Sequence, residues 1–366
     1  MLTILYAIFT LVIVIQISFF LLFSKFALAT PKKTTPQQQT VSVIICAKNE
    51  AENLKENLEN ILSQNHQDFE VIVVNDASTD NTLTILKDFQ KKHPHLIIVD
   101  LENTATYSGN KKNALTKGIA TTKNDYLIFT DADCMPISKD WLNEISLKFS
   151  HQKTIILGYG AYQKIKNSLL NKLIRFETLI TATQYFSYAK IRLPYMGVGR
   201  NLAYKKELFT KANGLESHKH IQSGDDDLFI NQMATKENTE ICFSKNSFTI
   251  SKPHTSYKNW YQQKRRHITT AKHYQPIHKL LLGLYYSSQL LFWVLAIILL
   301  TLSFNWELVI ILIVTRLLFQ YAILGKITRK LNEKDLFLWL PVVDILLVFI
   351  QITLYINNLI AKPKSW

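Results

Sequence analysis

The chain of 366 residues has little charge, few glycines and very few cysteines. Charged residues make up 19% of it and hydrophobic residues 48%, which excludes a wholly disordered protein. The three cysteines are far apart and form no C-x-x-C pair, which argues against a disulfide framework and against a cysteine zinc site. We therefore expect three free thiols in a reducing compartment, at Cys46, Cys134 and Cys242.

Acidic residues are also scarce, since 28 of them stand against 42 lysines and arginines and leave a net charge of +14. A basic excess is typical of proteins that bind nucleic acids or membrane surfaces. Here the basic residues are spread through linkers and the flanks of apolar segments, and no nucleic-acid-binding motif accompanies them. The sequence therefore predicts a membrane as a partner and no nucleic acid.

Charged residues are absent or nearly absent from three long stretches near the ends of the chain. Residues 1–24 and 280–304 contain no charged side chain, and residues 336–360 contain only Asp344. Segments of this length can cross the roughly 30 Å hydrocarbon core of a bilayer as helices. A soluble enzyme with one core does not collect its apolar residues in this way, so we predict a polar middle held between membrane segments.

The first apolar segment is expected to be an uncleaved transmembrane anchor over residues 1–29, followed by a polar linker over 30–40. A cleaved signal peptide is the alternative, because Ala27-Leu28-Ala29 resembles a cleavage site. However, no basic residue precedes the apolar run, which is also longer than a signal core. Three lysines follow the run and none precedes it, which predicts a cytoplasmic C-terminal side: Lys25, Lys32 and Lys33.

The C-terminal membrane region, residues 276–366, is predicted to have two or three transmembrane helices. Its last apolar segment contains a proline and Asp344, and it either crosses the bilayer, re-enters it or lies at its interface. A full crossing would place Lys362 and Lys364 outside, against the positive-inside tendency. Because a lone charge in lipid is costly, we expect Asp344 to pair with Arg316 inside the bundle.

The polar middle, residues 41–275, alternates strand and helix patterns. Strands are predicted over 41–46, 70–75, 96–100 and 125–130, and helices over about 50–63, 80–92 and 110–121. Such alternation is typical of a mostly parallel sheet flanked by helices, in which ligands bind at the carboxyl edge of the strands. Residues 165–193 predict either amphipathic helices at the membrane interface or an ordinary core helix.

Polar side chains follow three of the predicted strands. Asn49 and Glu50 follow the first strand, Asp76 follows the second, and Asp131 and Asp133 follow the fourth. Two carboxylates two residues apart repel each other unless a cation lies between them, and Mg²⁺ or Mn²⁺ prefers such oxygen ligands. The sequence therefore predicts a divalent cation at Asp131 and Asp133. No G-x-G-x-x-G follows the first strand, which disfavours a dinucleotide-binding protein.

These motifs, in this order, resemble the inverting family 2 glycosyltransferases with a GT-A fold. The resemblance covers roughly residues 41–267 and is carried by VSVIICAKNEAENL, VNDASTDNT, GNKKNAL, DAD, GVGRNLAYKKELF, SGDDDLF and QKRRH. It implies an α/β fold of the GT-A nucleotide-diphospho-sugar transferase type, with a mostly parallel Rossmann-like sheet, attached to transmembrane helices.

The resemblance also implies a role for each motif residue. Substrate binding is implied for Asn49, Glu50, Asp76, Lys111, Asp131, Arg200, Asn201, Asp227, Gln263, Arg266 and His267. Asp133 is implied to bind the divalent ion through the donor diphosphate, with Asp131 beside it. Asp225 is the implied general base, and Asp226 is the alternative because three consecutive aspartates leave the base ambiguous by one residue.

Two motifs depart from the family pattern. In the aspartate motif, Gly224 stands where the family often has a glutamate. His267 stands where the Q-x-x-R-W motif of membrane-embedded polysaccharide synthases has a tryptophan, which argues against a processive enzyme. Arg266 can keep a phosphate-binding role through charge-assisted hydrogen bonds. The same basic stretch is also typical of a juxtamembrane segment attracted to anionic headgroups.

The implied function is metal-dependent, inverting transfer of a sugar from a nucleotide-sugar donor, with a UDP-sugar expected, to a lipid or surface-glycan acceptor. We expect a multi-pass protein of the cell inner membrane with its catalytic domain in the cytoplasm. A processive polysaccharide synthase is the nearest alternative, and a membrane scaffold or nucleotide-sugar-binding relic is the alternative of another class. The complete set of carboxylates argues against a relic, because binding alone needs no base.

Overall fold

The computed structural model describes residues 1–31, 39–102, 104, 110–221 and 223–361. Lys32, Lys33, Lys362 and Lys364, on which the topology predictions partly rest, lie outside the described residues. The chain divides into two compact units. The apolar unit comprises Met1–Thr30, Lys164–Ile191 and His254–Trp366, and the sheet unit comprises Pro31–Gln163 and Arg192–Pro253. The domain boundaries predicted from the sequence stay a prediction.

Helices and strands are numbered here in chain order within the described residues. The helices are α1 Leu2–Ala27, α2 Ala51–Leu62, α3 Thr82–Lys92, α4 Lys111–Thr121, α5 Trp141–Ser146, α6 Leu169–Lys190, α7 Lys206–Lys211, α8 Asp227–Met233, α9 Tyr257–Ile268, α10 Pro276–Thr301, α11 Trp306–Lys330 and α12 Leu340–Ile360. The strands are β1 Val41–Ala47, β2 Phe69–Asp76, β3 Leu96–Leu101, β4 Tyr126–Phe129, β5 Cys134–Pro136, β6 Ile155–Leu157, β7 Gly160–Tyr162, β8 Leu202–Lys205, β9 Thr239–Ile241 and β10 Thr249–Ser251. The four predicted strands and three predicted helices of the polar middle are confirmed within two residues at each end.

The larger sheet of the sheet unit has the strand order β3-β2-β1-β4-β8-β6-β9. β1 lies between β2 and β4 and is parallel to both, and β3 is parallel to β2. β8 is antiparallel to both β4 and β6, so the sheet is mixed beyond β4. The parallel strands β1, β2 and β4 therefore end at one edge, where the predicted ligand-binding side chains follow them. A smaller sheet, β5-β10-β7, holds the chain that follows Asp133.

The central strands form because β-branched residues fill both faces of the sheet. Val71 and Val73 pack in one buried cluster with residues of α2, whereas Ile72 and Val74 pack in another with α4. Burying one such side chain completely contributes about 1.5–3 kcal/mol. α4 approaches the sheet closely because Gly118 has no side chain, since a Cβ there would lie 2.9 Å from Val74 Cγ2.

The apolar unit contains the segments predicted to enter the membrane. Four of its helical segments are long and apolar enough to cross a bilayer: Leu2–Ala27, Pro276–Thr301, Trp306–Lys330 and Lys334–Ile360. The segment predicted as amphipathic or core helix is a single helix, α6, and 16 of its 22 residues are buried. The amphipathic interpretation is therefore wrong and the core interpretation holds, because the polar residues of α6 are buried along with its apolar ones.

A buried arginine lies among the helices of the apolar unit. The Arg316 guanidinium donates to Asp344 Oδ2 at 2.8 Å, which confirms the predicted pair. It also donates to the amide oxygens of Gln16, Gln289 and Gln320 at 2.6–2.8 Å. The Arg316 guanidinium thus makes hydrogen bonds to residues of four helices of the apolar unit, α1, α10, α11 and α12.

Candidate active site

The N-terminus of α4 is fixed at the carboxyl edge of the sheet. Asp76, the last residue of β2, is buried and accepts a hydrogen bond from the backbone N–H of Asn110 at 3.1 Å. The Asn110 side chain in turn caps α4 by accepting from the backbone N–H groups of Lys112 and Asn113. This cap places Lys111, the first residue of α4, beside the ends of β1, β2 and β4.

Lys111 lies between two of the predicted carboxylates. Its Nζ is 3.1 Å from Asp131 Oδ1 and 3.2 Å from Asp225 Oδ2. Burial alone would lower the pKa of Lys111, but Asp131 and Asp225 outweigh it and hold that pKa well above its ordinary value. A permanent positive charge therefore lies between Asp131 and the predicted base Asp225, which are 94 positions apart in the sequence.

The loops that follow β1 and β2 are tied to each other. Asn49 has a φ of 55°, which asparagine tolerates better than most residues, and its Oδ1 accepts the backbone N–H of Thr79 at 2.8 Å. Asp80 accepts from the backbone N–H of Ala51 at 3.2 Å and from that of Thr82 at 3.0 Å, at the starts of α2 and α3. Burial raises the pKa of Asp80. The hydrogen bond from the Thr82 hydroxyl, together with the two backbone bonds, outweighs burial and lowers the pKa below its ordinary value.

Glu50 lies beside the predicted metal pair. Its carboxylate accepts a hydrogen bond from Asn53 Nδ2 at 2.6 Å. Burial, together with the negative charges of Asp133 and Asp131, raises the pKa of Glu50 above its ordinary value, although Asn53 lowers it. Glu50, for which substrate binding is implied, and the predicted metal ligands thus share one electrostatic environment.

Asp131 and Asp133 form an acidic cluster with Cys134, in which the ligand atoms all lie within 4.8 Å of one another. Burial and the charge of Asp131 raise the pKa of Asp133, which Arg200 partly opposes. A cation between two such carboxylates removes their repulsion, and hard divalent ions match this oxygen donor set. Cys134 does not match it, because its thiol is fully buried and lies 3.1 Å from Ser251 Oγ. The residues present fit Mg²⁺ or Mn²⁺ held by the two aspartates.

Arg200 is held rigidly near this cluster. Its guanidinium carbon lies 4.2 Å from the centre of the Tyr162 ring, and its Nη1 donates to the carbonyl of Ala161 at 3.0 Å. Burial lowers the pKa of Arg200, but the negative groups around it, Asp133 among them, raise it above its ordinary value. A fixed cation therefore lies near Asp133, in contact with β7 and just before β8 in the chain.

Asn201, the next predicted residue, is completely buried. Its Nδ2 donates to the carbonyls of Tyr159 at 2.9 Å and Ser247 at 2.7 Å, and its Oδ1 accepts from Trp141 Nε1 at 3.2 Å. Both donors and the acceptor of the amide are thus used within the sheet unit. The predicted substrate contact of Asn201 stays a prediction.

The three consecutive aspartates differ in their surroundings. Asp225 retains 14% exposure, and although burial acts to raise its pKa, Lys111 holds that pKa below its ordinary value. Asp226 accepts the backbone N–H of Gly199 at 2.6 Å and that of Asp227 at 2.7 Å, so both of its oxygens are occupied. Burial and the two neighbouring aspartates raise the pKa of Asp226 to about 7. Asp227 is buried and accepts the backbone N–H of Leu228 at 2.8 Å.

The sequence did not single out Lys112. This residue supports the loop that carries Asp225 to Asp227, which we call the aspartate loop. Its Nζ donates to the carbonyls of His218 at 2.6 Å and Ile221 at 2.7 Å, just before the three aspartates. Burial lowers the pKa of Lys112, which the charges of Asp225 to Asp227 partly oppose. Its partners are backbone carbonyls, which no residue pattern reveals. The sequence offered only the position of Lys112, next to Lys111 at a helix start.

Three further predicted residues, Gln263, Arg266 and His267, lie on α9 in the apolar unit. α9 carries no acid in its first turn and three basic residues in its last. Burial lowers the pKa of Arg266 from its ordinary value. The roles predicted for these three residues stay predictions.

Part of the chain is similar to known proteins. Residues 42–211 match the family model described as Glycosyl transferase family 2. A poly-β-1,6-N-acetyl-D-glucosamine synthase of Staphylococcus epidermidis is 35% identical over 102 residues, which are 28% of this chain and 24% of that protein. A synthase of the same name from Staphylococcus aureus is 28% identical over 153 residues, or 41% of this chain and 36% of that protein. The matches thus span about a quarter to a third of these curated relatives.

A solved structure shares the fold over nearly the whole chain. The mannosyltransferase PcManGT from Pyrobaculum calidifontis, solved in complex with GDP-Man and Mn²⁺, superposes with a TM-score of 0.62 at 19% identity, and 98% of each chain is covered. At this identity the likeness shows the fold alone. The predicted fold class, a GT-A α/β sheet with flanking helices joined to apolar helices, is confirmed.

Proposed function

We propose that this chain, which carries a family 2 glycosyltransferase domain of the GT-A fold, transfers a sugar from a nucleotide-sugar donor to a lipid or surface-glycan acceptor with inversion at the anomeric carbon. The observation that carries the proposal is the position of Lys111, whose ammonium lies within 3.2 Å of both Asp131 and Asp225. In this proposal Asp131 belongs to the donor side of the site and Asp225 to the acceptor side. Lys111 contacts both residues at the carboxyl edge of the sheet.

In this proposal Asp225 takes the proton of the acceptor hydroxyl as its oxygen attacks the anomeric carbon. The bond to the donor diphosphate breaks, and the diphosphate leaves with the electron pair. Lys111 and Arg200 are fixed cations that stabilise the charge growing on that leaving group. A divalent cation held by Asp131 and Asp133 would supply further stabilisation of the diphosphate. A single displacement inverts the carbon without a covalent enzyme intermediate.

The proposed location is the cytoplasmic face of the cell inner membrane. The apolar segments support membrane attachment, and the lysines that follow the first of them support the orientation. The donor is proposed to be a UDP-sugar, as the sequence predicts. The neighbouring structure with GDP-Man supports the nucleotide-sugar class but leaves the base and the sugar open.

The test is incubation of the purified full-length protein with a panel of nucleotide sugars and a membrane lipid extract, followed by mass analysis of new glycolipids. We expect one donor to yield a product and Asp225→Asn to abolish it while nucleotide binding persists. Asp133→Asn should lose metal-dependent nucleotide binding. Asp88→Asn, an exposed aspartate of α3, is the matched control and should behave like the wild type. Wild-type turnover in the Asp225 variant would contradict the assignment of the base.

A second candidate function is processive synthesis of a polysaccharide. It is favoured by the names of the curated relatives and opposed by His267, where the synthase motif has a tryptophan. The same assay separates the two, because a processive enzyme gives a ladder of long products whereas a single-transfer enzyme adds one sugar to each acceptor.

A further inference from the structure

Three helices of the apolar unit, α1, α10 and α11, begin or end at the same two levels of the bundle. Phe9 of α1 stacks on Phe292 of α10, and Phe23 of α1 packs on Tyr285, so α1 and α10 run antiparallel. Lys330, at the end of α11, donates to the carbonyl of Phe26 at 2.9 Å, so α1 and α11 end together. We call this end of the bundle, with the last turns of α1 and α11 and the first turn of α10, the lysine end. The hairpin between α10 and α11 lies at the opposite end, beside Tyr6.

The cluster around Arg316 marks the middle of this bundle. Gln289 lies nine residues beyond Leu280, where the charge-free run of α10 begins, which is about 14 Å at 1.5 Å per residue. That distance is about half of a hydrocarbon core of roughly 30 Å. Asp344 binds Arg316, which also binds Gln289, so Asp344 lies near the same level. The beginning of α12 is therefore at mid-bundle.

The chain reaches this level from the lysine end. Arg175 of α6 binds the carboxylates of Glu333 and Asp335, just after α11 has ended. The Phe337 ring then packs on Tyr321, with 5.1 Å between the ring centres. Tyr321 lies about two and a half turns before the end of α11. The segment from Glu333 to Asp344 thus descends along α11 to the middle of the bundle.

From mid-bundle α12 returns to the lysine end. Gln351 lies near the Tyr286 hydroxyl, and Tyr286 is three residues nearer the lysine end than Gln289. At the end of α12, Asn358 Oδ1 accepts from Arg265 Nε at 2.8 Å, and Asn358 Nδ2 donates to the Arg265 carbonyl at 3.0 Å. Arg265 belongs to α9, which directly precedes α10 in the chain. Asp344 and Asn358 are 14 residues apart, about 21 Å of helix, which matches the distance from the middle of α10 to its start.

We propose that Lys334–Ile360 is a re-entrant segment that meets a single leaflet of the bilayer and leaves it on the side by which it enters. Its length and hydropathy suit a fourth crossing, but its contacts place both ends at the lysine end. The exposed apolar side chains of α12, among them Phe349, Ile356 and Leu359, form the surface that contacts lipid. The described residues then cross the membrane three times, and Ile360 lies on the same side as the basic residues at the end of α11.

The test places single cysteines at three exposed positions and labels each with a membrane-impermeant maleimide in sealed vesicles of both orientations. Lys334→Cys reports the entry of the segment, Ala361→Cys its exit, and Leu302→Cys the hairpin between α10 and α11. The unmodified protein measures the background from the native cysteines. We expect Ala361→Cys to label in the same vesicles as Lys334→Cys and at least tenfold less in those that label Leu302→Cys.

A protease-cleavable tag after Trp366 gives a second reading that does not depend on thiol reactivity. Added protease should remove it in the vesicles that label Lys334→Cys. Labelling of Ala361→Cys together with Leu302→Cys, or removal of the tag in the opposite vesicles, would show a full crossing and overturn the proposal. Neither result depends on the catalytic activity, so this inference and the proposed function can fail separately.

Discussion

Replacing Asp226 by asparagine is expected to weaken the fold more than the chemistry. Both carboxylate oxygens accept backbone N–H groups, from Gly199 at 2.6 Å and from Asp227 at 2.7 Å. Asparagine keeps one acceptor and turns an NH₂ group toward the other N–H, and one unpaired buried donor costs about 1–3 kcal/mol. We therefore expect the free energy of unfolding to fall by about that amount, or by about 2–4 °C in the thermal midpoint per kcal/mol.

The stability lost in Asp226→Asn should be larger at low pH than at neutral pH. Because the pKa of Asp226 is raised from 3.8 to about 7 in the folded protein, the folded state binds more protons than the unfolded state between these values. The wild type therefore loses stability as the pH rises from about 4 to about 7, and an uncharged asparagine does not. The difference in thermal midpoint between wild type and Asp226→Asn should be largest near pH 4 and smaller at pH 7.

Asp225→Asn is expected to weaken the chemistry more than the fold. Asp225 is charged and faces Lys111, so its loss should remove a general base, which is worth about 10²–10⁴-fold in rate, at little cost in stability. Thermal unfolding in detergent and turnover with the identified donor, measured on both variants and on Asp88→Asn, separate the two roles. If Asp226→Asn loses turnover as completely as Asp225→Asn while its thermal midpoint is unchanged, Asp226 is the base and the reasoning is refuted.

Three other outcomes follow from the structure. Asp344→Leu leaves Arg316 buried without its counter-ion and should cost about 3–5 kcal/mol of stability in detergent, whereas the exposed Glu307→Gln should cost almost nothing. Lys112→Met removes two hydrogen bonds beneath the aspartate loop and should lower both the thermal midpoint and turnover, with the exposed Lys117→Met as its control. Chelation of divalent ions should stop sugar transfer, and Mg²⁺ or Mn²⁺ should restore it; transfer at full rate in chelator would contradict the metal proposal.

The parallel half of the sheet could be predicted because its sequence signals are strong. Residues 41–46 and 70–75 are β-branched runs buried on both faces, and each is followed by a helix of ordinary length. The rest of the sheet, β8, β6 and β9, was not predicted as strands. β6 and β9 have three residues each, which is too short for any hydrophobic period to be read, and their pairing depends on long-range register.

The site could be predicted only in part, for a similar reason. Asp131 and Asp133 are marked by their spacing. The contact of both Asp131 and Asp225 with Lys111 was not predicted. The support of the site could not be predicted, because Lys112 binds backbone carbonyls and Asn201 is enclosed by residues from three other segments. Such contacts leave no trace in residue type or spacing.

The last apolar segment shows what hydropathy can and cannot decide. A crossing helix and a re-entrant helix both satisfy their backbone hydrogen bonds internally, so the same composition suits either path when one face packs on neighbouring helices. The charge pattern is more discriminating, because basic residues flank the segment at both ends: Lys326, Arg329, Lys330 and Lys334 before it, and Lys362 and Lys364 after it. Under the positive-inside tendency both flanks belong on one side. The contacts of Asp344 with Arg316 and of Asn358 with Arg265 give the same answer independently, from the middle and the end of α12.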